Sequence, residues 1–312
     1  MENFSVTILG SSSASPTSHR NTTSQLINFY DRLYLIDCGE GTQVQLRRHH
    51  TKLSKINHIL ISHLHGDHFF GLAGLISSLN LFGRAKTLHI YSDPRIKQVI
   101  DLQLEISETV LQFDIEYHPL DFEKKALIFE DKKLQIYSFP LNHRIPTCGF
   151  LFQEKPSLPN INKKVIARYN LNIEQIKSII DGEDLILNDK TRIENELLVV
   201  QLAPPRSYAF CSDTKYFDGL YKYFENVDLL YAECTFMNDL QEIAHQKFHM
   251  TTHDVAQLAK ESSAKNLIVG HFSARYRDTS QLQTEIQNQY PDTTLVNDFD
   301  TFFINNADPD LQ

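Results

Sequence analysis

The 312-residue sequence predicts an α/β layered fold, and three observations carry that prediction. Short apolar runs bounded by turn residues recur in both halves of the chain. Segments with helical spacing lie between them. No stretch reaches the roughly 18 consecutive apolar residues that a membrane span needs, so the runs belong to a globular core. Hydrophobic residues make up 41% and charged residues 22%, enough for one large domain or two tightly packed halves.

The elements follow in order. Strands are predicted over Phe4 to Leu9, Gln25 to Phe29, Leu33 to Asp37 and His58 to Ser62, with helical spacing over Glu40 to His50 and again over Leu72 to Leu81. Leu88 to Tyr91 reads as a strand, Pro94 as the opening of a helix, and Leu134 to Phe139 alternates as a strand does. Residues 153 to 197 differ. They combine Pro156, Pro159, many charges and a short helical stretch near Ile173 to Ile180, and are expected to leave the main body as an arm. Strands then resume over Tyr208 to Ser212, Asp228 to Tyr231, Asn266 to Val269 and Thr294 to Val296, with a helix over Thr252 to Ser262 capped by Thr252. The polar tail Asn305 to Gln312 is expected to be loose.

Composition narrows the setting. The start, Met1-Glu2-Asn3-Phe4, carries an acid and no basic flank, unlike a secretory signal, and a cytoplasmic location is expected. Cys38, Cys148, Cys211 and Cys234 form no CxxC pair and are expected as buried free thiols in a reducing compartment. A net charge of −9 excludes a globally basic polyanion binder, so any nucleic-acid contact must use local patches. Arg47, Arg48, Lys52 and Lys55 form one such patch, with no acid between residues 41 and 57. Lys163, Lys164, Arg168 and Lys177 form another, against the single acid Glu174.

The strongest chemical signal is His63-Leu64-His65-Gly66-Asp67-His68, directly after a predicted strand. Three imidazoles and a carboxylate in six residues suit a borderline cation such as zinc, and Gly66 lets the backbone turn sharply between them. This HxHxDH run resembles the metal motif of the metallo-β-lactamase superfamily. The resemblance implies a four-layer αββα sandwich in a single domain over residues 1–308, the arm inserted. It also implies two zinc ions per subunit: His63, His65 and His143 on one, Asp67, His68 and His271 on the other, and Asp213 bridging. Each downstream ligand follows a predicted strand, where active-site groups of α/β sheets usually sit. Of the 14 histidines, eight (among them His58, His89 and His118) match no ligand pattern and are expected as surface or structural residues.

Three further segments resemble ribonuclease Z in its short form. Phe248-His249-Met250-Thr251-Thr252 is similar to its HxT motif, Leu230 to Phe236 to its strand-end glutamate segment, and His271-Phe272-Ser273-Ala274-Arg275-Tyr276 to its HxSxRY run. The resemblance covers nearly the whole chain. It implies an endonuclease that cuts precursor tRNA at the 3′ end, with Asp67 orienting water, His249 protonating the leaving 3′-oxygen and Glu233 orienting His249. A homodimer is implied as well. Arg20 and Asn21 fall in a segment similar to the family's PxKxRN substrate loop, with Ser18 where lysine is usual; Arg275 would either hold a phosphate or tie the carboxyl-terminal region to the core. The alternatives are a phosphodiesterase or esterase of the same fold acting on a small substrate, and a nucleic-acid-binding protein with a structural metal.

Overall fold

The computed structural model describes residues 4–157, 159–200 and 204–305. The chain divides into two compact units, one of Met1–Gln153 with Arg206–Asn305 and one containing Glu154–Pro205.

The larger unit holds two seven-stranded sheets. Its first strands are β1 (Phe4–Gly10), β2 (Ser24–Phe29), β3 (Arg32–Ile36), β4 (Ile56–Leu60), β5 (Leu88–Ser92), β6 (Ile115–Pro119), β7 (Ala126–Glu130), β8 (Leu134–Pro140) and β9 (Cys148–Glu154). The smaller unit contributes the short pairs β10 (Asn160–Ile161), β11 (Leu185–Ile186), β12 (Arg192–Ile193) and β13 (Val199–Val200). The larger unit resumes with β14 (Ser207–Cys211), β15 (Leu229–Glu233), β16 (Leu267–Gly270), β17 (Thr293–Leu295) and β18 (Thr301–Phe303). The first sheet runs β18-β1-β2-β3-β4-β5-β6 and the second β17-β16-β15-β14-β9-β8-β7.

Alternation within the strands creates the layers, because successive side chains point to opposite faces. In β15, Leu229 and Tyr231 join a cluster with Val6, Ile8, Tyr34, Ile36, Phe150 and Phe210, which is the core between the sheets. Leu230 and Ala232 face the other way and pack with Val255, Leu258, Leu282 and Ile286. Those four lie on α9 (Thr252–Ser262) and α10 (Ser280–Gln287). On the outer face of the first sheet, Leu35, Ile59 and Ile90 pack with Leu46, Leu75, Ile76 and Ile100. These come from α1 (Thr42–Arg48), α3 (Leu72–Leu81) and α4 (Ile96–Ile106), with the single-turn α2 (Gly66–Phe69) preceding α3. The result is helix, sheet, sheet, helix, as the resemblance implied.

Several elements depart from expectation. β6, β7, β9 and β18 were not anticipated. β6 and β7 are edge strands with no fully buried residue, and β9 is buried along its first five residues, so none of the three alternates cleanly. The first helix is trimmed to Thr42–Arg48 because Gly41 takes a left-handed conformation, φ 83°, just before it. Pro94 stands in the turn before α4, which begins at Ile96. The cap of α9 is Thr251, whose hydroxyl and backbone exchange hydrogen bonds with Asp254; Thr252 is the first helical residue. All four cysteines are buried and free. No helix among the described residues is long and apolar enough to cross a membrane. The tail predicted to be loose lies outside the described residues beyond Asn305.

The smaller unit has its own apolar cluster of Ile161, Leu171, Ile179, Leu185 and Leu198, which the sequence pattern did not suggest. Within it, α6 (Ile173–Ile180) coincides with the predicted helical stretch and carries a capping box of Asn172 and Gln175.

Candidate active site

Strand direction assembles the site. β14, β15 and β16 run parallel, with Cys211 opposite Ala232 and Glu233 opposite Gly270. Asp213, Glu233 and His271 therefore emerge at one edge, where β3 and β4, also parallel, deliver Asp37 and His63. Cys148 N–H donates to Ser62 O at 3.1 Å and joins the two sheets at that end.

All seven expected ligands converge, in two sets. His63 Nε2, His65 Nδ1 and His143 Nε2 lie within 3.0–3.1 Å along His63–His65 and His65–His143, with Asp213 Oδ2 at 3.6 Å from His63 and 3.8 Å from His143. Asp213 Oδ1 faces the second set, 3.3 Å from His68 Nε2 and 3.0 Å from His271 Nε2. Asp67 Oδ2 completes that set at 3.5 Å and 3.6 Å from the same two nitrogens. Four donors about 2.0–2.1 Å from one tetrahedral ion stand about 3.4 Å apart, which is the spacing found here. The buried His68 Nε2 and His271 Nε2 make no hydrogen bond despite these neighbours. They aim at shared centres instead of at the carboxylates, so the residues present fit metal ions.

The opposite ring nitrogens fix this orientation. His68 Nδ1 meets Asp37 Oδ2 at 2.7 Å, His63 Nδ1 meets Ser62 Oγ at 3.0 Å, His143 Nδ1 meets Phe248 O at 3.1 Å, and His271 Nδ1 meets Thr235 Oγ1 at 2.9 Å. Such outer contacts orient metal-binding imidazoles and raise their basicity. Asp37 also accepts from Ser62 N–H and Oγ–H. Asp37, Ser62 and Thr235 received no role from sequence reasoning. An acid ending an apolar strand in Leu35-Ile36-Asp37-Cys38-Gly39 was the available signal for the first.

Backbone geometry sets three of these residues apart. Asp37, Asp213 and His271 all occupy left-handed conformations, φ 56°, 51° and 59°. Non-glycine residues there cost about 1–3 kcal/mol each, and such strain clusters at functional sites.

Burial pushes the His63, His65 and His143 pKa values down, which keeps the rings in the neutral, ligating form. For His68, burial is outweighed by Asp213, Asp67 and Asp37, which raise it; for Asp67, burial is outweighed chiefly by His68 and His271, which lower it. Three carboxylates thus draw positive charge into one pocket.

His249 sits beside the sets, its ring 5.3 Å from His143 and 5.5 Å from His271. Its Nδ1 is 2.9 Å from Oε1 of fully buried Glu233. Burial would depress its pKa, but Glu233, with Asp213 and Asp67, raises it to about 9. A cavity of about 410 Å³ opens over the site, lined among others by His65, Asp67, His143, Asp213, His249 and His271.

Arg20, Asn21 and Arg275 do not line that cavity. Arg20 donates to Ser11 Oγ, Val296 O and Asn297 Oδ1 and lies over the Phe272 ring, while Asn21 donates to Asp298. Arg20 also borders a neighbouring cavity of about 500 Å³ with Ser18 and Arg277. Arg275 lies over Phe236 and donates to Ser273 Oγ.

Similarity to known proteins agrees with this geometry. The family model of anti-Pycsar protein Apyc1 matches residues 4–158. The ribonuclease Z of Porphyromonas gingivalis W83 is 42% identical over 298 residues, covering 96% of this chain and 98% of that protein. That of Phocaeicola vulgatus is 41% identical over 296 residues, covering 95% and 96%. Among solved structures, human tRNase Z, short form, superposes with a TM-score of 0.70 at 26% identity, covering 96% of this chain and 99% of that one. With such identity along nearly its whole length, the chain belongs to the ribonuclease Z family.

Proposed function

We propose that this chain is a metal-dependent endoribonuclease that hydrolyses the phosphodiester at the 3′ end of precursor tRNA, removing the trailer. The observation that carries the reading is Asp213, whose two oxygens face two separate ligand sets beneath one cavity, with His249 at their side. His63, His65, His143 and Asp213 would hold one zinc ion, and Asp67, His68, His271 and Asp213 a second. When bound, such a pair supplies Lewis acidity that lowers the pKa of water and offsets phosphoryl charge.

The chain's own groups do the rest. Asp67 Oδ2, fixed by the Ala14 N–H at 2.8 Å, orients the attacking water. Water adds to phosphorus as the bond to the 3′-oxygen breaks. His249 passes the proton on its Nε2 to that oxygen, while Glu233 holds Nδ1 and stabilises the imidazolium. The tRNA leaves with a 3′-hydroxyl and the trailer with a 5′-phosphate. Arg20, Asn21 and Arg275 contribute substrate contacts beside the cavity, and the smaller unit supplies basic residues to the tRNA backbone. The active form is a cytoplasmic homodimer.

Mapping the ends released from a precursor tRNA, beside turnover of bis(p-nitrophenyl) phosphate, tests this. Cleavage at the mature 3′ end supports the reading. Rapid hydrolysis of the small diester without tRNA cleavage would replace it with a small-phosphodiester enzyme.

A further inference from the structure

A second group of side chains able to ligate a metal stands outside the cavity, and its two histidines match no ligand pattern in the sequence. β5 and β6 pair in parallel with His89 opposite Glu116 and Tyr91 opposite His118. All four side chains share one face of the first sheet, since residues opposite or two apart point the same way. His89 Nδ1 lies 3.1 Å from His118 Nε2 and 3.3 Å from Glu116 Oε2, and His118 Nε2 lies 3.7 Å from Glu116 Oε1. Those separations fall in the range of 3.0–3.8 Å found within the two catalytic sets.

The rings are held for the purpose. His58, on the neighbouring strand β4, stacks on His89 at 4.9 Å and 13°, and Tyr91 stacks on His118 at 4.4 Å and 14°. Tyr91 Oη and His58 Nδ1 approach at 3.4 Å, and Tyr34 stacks on His58 at 5.2 Å while Phe129 meets it edge-on at 4.7 Å. Stacking on both imidazoles limits their rotation and cuts the ordering cost of binding. His89 and His118 are half-buried, whereas the Glu116 side chain is 57% exposed, so an ion reaches the trio from solvent.

We propose that His89, Glu116 and His118 form a further metal site that takes one borderline divalent cation of the zinc class, with water in the remaining position. Two imidazoles and one carboxylate select that class; calcium and magnesium prefer all-oxygen shells. The ion joins β5 to β6, the outermost strand of its sheet among the described residues, where side chains are only partly buried. It acts as a cross-strand tie where apolar packing is thin.

The test compares native protein with the double variant His89→Gln/His118→Gln and the single variant Glu116→Gln, each dialysed against zinc chloride and assayed by elemental analysis. The native chain is expected to retain one more zinc per chain than the double variant, while precursor tRNA cleavage stays within about twofold. Glu116→Gln, at an exposed position that cannot disturb packing, is expected to weaken one class of zinc site by about tenfold or more. Equal zinc content in native and double variant overturns the proposal. If the double variant fails to fold, an unchanged zinc isotherm for Glu116→Gln overturns it equally.

Discussion

Glu233 Oε1 lies 2.9 Å from His249 Nδ1 and accepts the Thr214 N–H at the same distance, so the carboxylate is locked before it engages the ring. Glu233 also accepts from the hydroxyl of Thr235, the residue that touches His271. His249 and His271 thus share one buried anchor.

His249→Ala is expected to lower the rate of precursor cleavage by about 100-fold or more, the usual worth of a positioned acid. Glu233→Gln keeps the hydrogen bond but removes the charge that holds the imidazolium. As the proposed acid His249 must be protonated, and its pKa is raised to about 9, so activity is expected to be lost as pH rises through an alkaline limb. Metal ions held by the adjacent sets would pull that limb downward. The check is the pH–rate profile, in which Glu233→Gln should shift the limb to lower pH than in the native enzyme.

Asp213→Asn leaves one oxygen and no charge where two ligand sets now share a carboxylate. Cleavage should fall to background, and elemental analysis should show loss of bound metal. Chelation of the native enzyme should likewise abolish activity, with recovery on adding zinc.

Asp37→Ala strands three buried groups: Ser62 N–H, Ser62 Oγ and His68 Nδ1. A destabilisation of about 3 kcal/mol is expected from denaturant unfolding. Asp37→Asn should fold better yet bind metal about 10–100-fold more weakly, because His68 loses its charged partner. Equal metal affinity in Asp37→Asn and native protein would remove the positioning role given to Asp37.

Gly39→Ala introduces a Cβ about 2.3 Å from the backbone oxygen of Asp67 and from Thr22 Oγ1. Backbone must move, and the segment it moves carries Asp67 and His68. Metal content and cleavage are expected to drop together, with the unfolding midpoint falling less than in Asp37→Ala.

Replacing Lys163, Lys164, Arg168 and Lys177 with Gln should raise the KM for precursor tRNA and flatten its salt dependence. Turnover of bis(p-nitrophenyl) phosphate should be unchanged, since none of these residues lines the cavity over the ligand sets. An unaltered KM would remove the smaller unit from substrate binding.

Much of this was legible in the sequence because the candidate ligands sit in or just beyond strong strands. His63 to His68 are contiguous, and Asp213 and His271 each follow an apolar run that could only be a buried strand. What escaped depends on register. Thr235 touches His271 only because β15 and β16 run in parallel at matched height, and His89 meets Glu116 only because β5 pairs with β6. The edge strands β6 and β7 carry too few buried residues to show a period, and β9 too many. In the smaller unit, apolar residues scattered among charges close into a cluster that no linear window of sequence isolates.

The parallel register of β14, β15 and β16 also dictates where this protein tolerates change in length. One residue added inside any of the three would advance its tip by about 3.3 Å and turn the following side chain to the opposite face. Asp213, Glu233 or His271 would then leave the cluster altogether. Insertions between the strands carry no such penalty, so the loops above the edge can lengthen and diversify while the chemistry beneath them stays in place.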